Sequence, residues 1–206
     1  MTGPFLKRQG EGARVGSDAR VGGDALALIE VSSIARGHVV ADAMCKKAPI
    51  ELVLARPVSP GKHVTLIVGG VADVKEAVQI GVEVADDAYV DRLELAQVAP
   101  ELVRALRRKK IHFDDRSLGL FETFSIASAL LAADAACKAA EVGIIALRLG
   151  DGIGGKAYFA LQGEQGDVEA ALFAAETITQ AALFAGRELI ARPHDDLVAE
   201  LARDAE

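Results

Sequence analysis

The stretch Gly150-Asp-Gly-Ile-Gly-Gly-Lys156 satisfies two nucleotide-binding spacings at once: G-x-G-x-x-G and, up to its last position, G-x-x-x-x-G-K. In both patterns the glycines lead directly into a helix whose N-terminal N–H groups hold phosphate. Two features argue against that chemistry. Ala157 stands where a Ser or Thr hydroxyl would hold magnesium, and Ala157-Tyr-Phe-Ala-Leu161 favours a strand over a helix. A tight hairpin turn that needs glycine torsions is the better reading. Cys45 and Cys137 read as small, buried or half-buried apolar side chains. His38, His63, His112 and His194 show no metal-ligand spacing and no neighbouring Cys, so they read as structural or solvent-facing and no metal site is expected. No Ser-His-Asp or Cys-His set can be assembled, and the Asp and Glu residues are spread over helix surfaces without a spacing that points to an acid–base pair. Arg104, Arg107, Arg108, Lys109 and Lys110 read as the solvated, cationic end of a helix.

The elements that hold these residues come in duplicate. Leu28, Glu30, Ser33, Ile34, Ala35, Ala41, Asp42, Ala43, Cys45, Lys46 and Ala48 each recur 92 positions later. Further along the offset is 94 (Gly61-Lys62 and Gly155-Lys156; Asp73-Val74 and Asp167-Val168), then 95 (Leu102-Val103 and Leu197-Val198). Loops absorb a drift of this size, so the chain is two copies of one module. Each copy opens on an apolar run with strand character, Ala25 to Val31 or Leu118 to Phe124. Ser33 or Ser125 then caps an Ala-rich helix. β-branched runs follow at Ile50 to Leu54 and Val142 to Leu147. Turns at Pro57 to Gly61 and Gly150 to Gly155 lead to third runs at His63 to Val68 and Ala157 to Leu161. Val71, Val74, Val78, Val82 and Ala85 have helical spacing, and Val168, Ala171, Leu172, Ala175 and Ala182 are assigned to the matching helix. A short strand and a last helical turn close each module. The order predicts an α/β (α+β) fold of two tandem ferredoxin-like βαββαβ modules, each an antiparallel sheet with helices on one face. The boundaries are 24–106 and 118–206, with a linker at 107–117. The tail at 1–23, rich in Gly, Arg and Asp, is expected to be mobile.

The chain has 206 residues, 51% hydrophobic and 26% charged, which suits a globular protein with cores built from aliphatic side chains, since aromatics are only 4% and Trp is absent. A formal charge of −7 lacks the basic footprint of a nucleic-acid binder. Two Cys exclude a disulfide-dense secreted scaffold. The residues before Asp24 show no signal-peptide run, and no apolar stretch reaches membrane-spanning length, so the expectation is a soluble cytoplasmic protein.

Each module resembles the shell-protein domain of bacterial microcompartments. The resemblance rests on Glu30, Ala41-Asp-Ala-Met-Cys-Lys46 and Gly69…Asp73-Val74 in the first copy. In the second it rests on Glu122, Ala133-Asp-Ala-Ala-Cys-Lys138 and Gly163…Asp167-Val168, with Ala191-Arg-Pro-His194 after the last strand. It covers about residues 25–203 and is nearest the single-layer tandem class of propanediol-utilisation shells. It implies a structural tile and not an enzyme: a homotrimer that mimics a six-domain hexamer and tiles with hexameric and pentameric shell proteins around encapsulated enzymes. It also implies a central pore lined by Ser59, Pro60 and Gly61 with Ile153, Gly154 and Gly155, and tile edges at Lys46, Lys138 and Arg192. The family relative has a Cys-Pro-Gly-Lys turn whose Cys is associated with an iron–sulfur cluster. Ser59 replaces that Cys here, and a hydroxyl is not a usual cluster ligand, so no cofactor is expected. The alternative reading is a ferredoxin-like regulator that binds a small molecule between its modules.

Overall fold

A computed structural model describes residues 24–107 and 117–203. The expectations for the tail at 1–23, for Arg108, Lys109, Lys110 and His112, and for most of the linker fall outside the described residues.

The first module runs β1 (Ala25–Val31), α1 (Ile34–Lys47), β2 (Glu51–Val58), β3 (Lys62–Gly69), α2 (Val71–Ala85), β4 (Tyr89–Ala96) and α3 (Pro100–Leu106). The second runs β5 (Ser117–Thr123), α4 (Ile126–Ala139), β6 (Gly143–Leu149), β7 (Ala157–Gly163), α5 (Gln165–Ile178), β8 (Phe184–Ile190) and α6 (Asp195–Arg203). The sheets are ordered β2-β3-β1-β4 and β6-β7-β5-β8, and all pairs are antiparallel. This is the expected βαββαβ arrangement, twice. The duplication extends to irregularities. β2 and β6 shift register between Leu52/Leu54 and Ile144/Ala146, and β1 and β5 between Glu30/Val31 and Glu122/Thr123.

Local chemistry starts each first helix. The Ser33 and Ser125 hydroxyls accept the N–H groups of Arg36 and Ser128, satisfying donors that the helix leaves open. The apolar stripe of α2 buries Val74, Val78 and Ala85, while Val71, in its first turn, faces out. The reading of Ala182 as helical is corrected: α5 ends at Ile178, and Ala182 lies exposed in the turn before β8.

The two helices within the βαββαβ order share one sheet face, as expected, and only the closing helix of each module departs from it. Ala27, Ile29 and Val31 of β1 pack with Val40, Met44, Val74 and Val78 of α1 and α2. Leu26 and Leu28 point the other way, as strand alternation requires, and join a cluster with Leu66, Leu102 and Val103. α3 therefore covers the second face, and α6 does the same in the second module, where Val198 and Leu201 meet Leu118, Ile145 and Ala160. Buried on both faces, β1 is apolar from Ala25 to Ile29, and its one charge, Glu30, comes near the strand end. The Leu26 cluster continues into the second module through Ile126, Leu130, Phe121 and Phe159, so the two modules share a core.

Candidate functional site

The two turns meet within the chain. The Ser59 N–H donates to the Gly150 carbonyl (3.3 Å), and Gly155 lies so close that a Cβ there would sit 2.8 Å from the Ser59 carbonyl oxygen. Gly155 also has φ +84°, as do Gly150, Gly152 and Gly154 at +75°, +69° and +67°, torsions that a side chain disfavours. The Ser59–Pro60 peptide bond is cis. The glycine run is thus a turn between β6 and β7, as the residues after it predicted, and no helix follows to receive a phosphate. Ser59, Ile153 and Gly155 are half-buried, and Pro60, Gly61 and Gly154 are exposed.

Charges at the base of each turn are paired. Lys62 donates to Glu30 and Lys156 to Glu122, both at 2.9 Å. The Lys156 ammonium also stands 5.2 Å from the centre of the Phe124 ring. Arg56 reaches across from β2 to Asp151 (3.2 Å) and to the Leu149 carbonyl (3.3 Å), tying one turn to the other.

The three proposed edge residues are not brought together. Lys46 and Lys138 stand at the C-terminal ends of α1 and α4, each donating to the aspartate one turn earlier, Asp42 or Asp134, at 2.6 Å. Arg192 is exposed beyond β8. Both thiols are free; Cys137 is half-buried as expected, but Cys45 is exposed, which corrects its reading as a buried or half-buried side chain. Partial desolvation and then Asp42 raise the Cys45 thiol, and burial, then Glu101 and Asp134, push Cys137 up to about 12. The thiolate is the nucleophile, so Cys137 is expected to resist maleimide at neutral pH until the chain unfolds. Peptide mass mapping after labelling with and without denaturant checks this; rapid labelling of native Cys137 contradicts it.

Comparison with known proteins decides the family. The BMC domain model matches twice, at residues 25–99 and 117–193, one match to each module. The chain belongs to the BMC domain family. It is 33% identical over 174 residues to the bacterial microcompartment shell protein PduT of Citrobacter freundii, covering 84% of this chain and 95% of that one. A crystal structure of a microcompartment protein from Desulfitobacterium hafniense superposes with a TM-score of 0.81 at 38% identity, over 84% of this chain and 97% of that one. A fused permuted hexameric shell protein of the RMM microcompartment gives a TM-score of 0.53 at 25% identity, over 74% and 79%. The protein is a structural shell component of a bacterial microcompartment and not an enzyme.

Sequence reasoning missed a contrast between the two BMC domains. Ile126 of α4 is 1% exposed, and its repeat partner Ile34 of α1 is 41% exposed. Ile144 of β6 is 1% exposed against 43% for Leu52 of β2, and Leu102 of α3 is 0% exposed against 39% for Leu197 of α6. The reason is the seam inside the chain. α3 and the edge of the first domain cover α4 and β6 of the second, and the Ala99 N–H donates to Asp134 Oδ1 at 2.8 Å within it. The equivalent face on α1 and β2, and the equivalent end on α6, are bare. A sequence signal for this did exist. Where the copies diverge, α1 carries Arg36 and His38 and α4 carries Ser128 and Leu130.

Proposed function

We propose that three copies of this shell protein close head to tail into a trimer of six BMC domains, a hexagon-shaped tile in the shell of a cytoplasmic microcompartment. One observation carries this reading: the seam that joins the domains within a chain has both of its halves repeated, uncovered, at the chain's two ends. The α1–β2 face of one copy is equivalent to the face that α3 covers, and the α6 end of another copy is equivalent to α3. A surface complementary to a different surface of the same molecule gives a heterologous contact, which closes a ring when the rotation allows. Two domains per chain and a six-domain tile make that ring a trimer.

In this tile the paired turns surround the central opening. Each trimer places three Ser59 hydroxyls and three Ile153 side chains there, with Pro60, Gly61, Gly154 and Gly155 supplying backbone. The lysines at the turn bases are already paired with Glu30 and Glu122, so the opening offers hydroxyl and backbone hydrogen bonds more than net charge. That chemistry suits small polar metabolites. Ser59 presents a hydroxyl where a cluster needs a thiolate, so the reading includes no iron–sulfur cluster. Lys46, Lys138 and Arg192 lie at the rim, where neighbouring hexameric and pentameric tiles dock, and enclosed enzymes lie behind the facet. The apolar stems of the lysines contribute as much there as their charge, which water screens. Among the described residues no helix is long and apolar enough to cross a membrane.

Native mass spectrometry tests the assembly. The expected species is three times the chain mass at micromolar concentration; a stable monomer overturns the proposal.

A further inference from the structure

We propose that the seam between chains is keyed by one hydrogen bond that the single chain leaves open: the backbone N–H of His194 in one copy donated to Asp42 Oδ1 of the next. The inference rests on the trimeric reading above and specifies its contact.

The bond has a formed counterpart inside the chain. Ala99 precedes α3, and its carbonyl accepts the N–H groups of Leu102 (3.1 Å) and Val103 (3.3 Å). Its own N–H donates to Asp134 Oδ1 at 2.8 Å in a buried setting. His194 holds the same place before α6: its carbonyl accepts from Leu197 (3.0 Å) and Val198 (3.2 Å). The acceptors match as closely. Asp42 and Asp134 each give Oδ2 to the lysine four residues on, at 2.6 Å in both domains. Asp134 uses its remaining oxygen for Ala99, and its side chain is 7% exposed; the Asp42 side chain is 60% exposed. A donor and an acceptor that meet between domains of one chain are therefore presented again at its two ends, in the same local geometry.

The surroundings of this second seam are more polar. Leu130 of the internal seam corresponds to His38. β1 pairs Leu28 with Leu93, and β5 pairs the equivalent Leu120 with Glu188, so β8 carries a carboxylate where β4 carries a leucine. Leu93 packs against the apolar cluster that contains Leu130. A seam with His38 and Glu188 in those places has less apolar burial to hold it, and its specificity falls on the charge-assisted bond to Asp42. A partner without a donor at that place would bury the carboxylate oxygen unmatched, and the α6 end of a second copy presents such a donor in the arrangement already seen between Ala99 and Asp134.

Sedimentation velocity on the full-length protein tests the bond. Asp42→Ala removes the acceptor, and His194→Pro removes the donating N–H together with the imidazole, whose Nδ1 accepts the Asp196 N–H at 3.2 Å and is lost equally in His194→Ala. His194→Ala keeps the donating N–H and serves as the control, while far-UV circular dichroism confirms that each variant folds. The expected result is a trimer dissociation constant raised about tenfold or more by Asp42→Ala and by His194→Pro, with His194→Ala close to wild type. Trimers as tight as wild type in both of the first two variants overturn the bond and leave the trimer standing. A wild-type protein that sediments as a monomer overturns the trimer and the bond together.

Discussion

Gly37→Ala is expected to lower the stability of the fold by about 1–3 kcal/mol, and adding His63→Ala to return most of that loss. Gly37 is buried in α1, and a Cβ there would lie 2.2 Å from Cγ of the His63 ring. The ring is fully buried, so it has nowhere to move. In the second domain the same two places hold Ala129 and Ala157, both at 0% exposure. One scaffold thus accepts either Gly with His or Ala with Ala, and the substitutions should couple rather than add. Urea unfolding of the two single variants and the double variant reads the coupling; strictly additive losses would show that the ring and the helix do not compete for one space. The imidazole also makes stability depend on pH. Neither ring nitrogen of His63 has a hydrogen-bond partner, and burial, then the neighbouring His38, whose ring stands 4.6 Å away, lowers its pKa. Below the ordinary histidine value of about 6.5, the unfolded chain takes up a proton that folded His63 resists. Folding stability therefore falls as pH drops from that value towards the depressed one, and His63→Ala removes this component. A wild-type melting temperature that is flat from pH 7 to 5.5, or a variant with an equally steep decline, contradicts the assignment.

The duplicated architecture was legible because each half carries the same local instructions. Ser33 and Ser125 cap helices in both copies, and the runs that follow those helices form β2 and β6, at one edge of each sheet. The turn at 150–155 was legible from the strand-forming residues behind its glycines. Placement of the third helices was not. Pro100–Leu106 and Asp195–Arg203 are short amphipathic segments, and nothing in their spacing says which sheet face they cover. That choice follows from Leu26 and Leu28, whose side chains need cover opposite α1 and α2. The α1 face was hidden for a related reason. Repeat identity marks Asp42 and Asp134 as equivalent, but burial is a property of neighbours, and only Asp134 has its neighbour in the same chain. The divergence of His38 from Leu130 was visible in the sequence but acquires meaning only beside that difference in burial.

Leu102→Ala and Leu197→Ala, one substitution at two equivalent places, should have opposite signatures. Leu102 is fully buried in the cluster that joins both domains, beside Val103 and with Ile126 and Phe121 in the same core. Its truncation leaves a cavity where neither domain can collapse freely, at a cost of about 2–5 kcal/mol. Because the cluster is shared, the chain should still unfold in one transition, shifted as a whole. Leu197 sits at the same position of α6 but is 39% exposed, so its truncation should change chain stability by no more than about 0.5 kcal/mol. In the proposed trimer its effect should appear in assembly, as weaker association, because there the next copy's α1–β2 face supplies the cover that α4 and β6 give Leu102. Urea unfolding read beside sedimentation separates the two outcomes. If Leu197→Ala left the trimer as tight as wild type, the equivalence of the two seams would fail at its apolar centre. If both substitutions destabilised the chain equally, Leu197 would be packed within its own domain. Leu102 thus joins the two domains of one chain, and in the proposed trimer Leu197 takes the same part towards the next chain, while Val198 stays packed on its own domain.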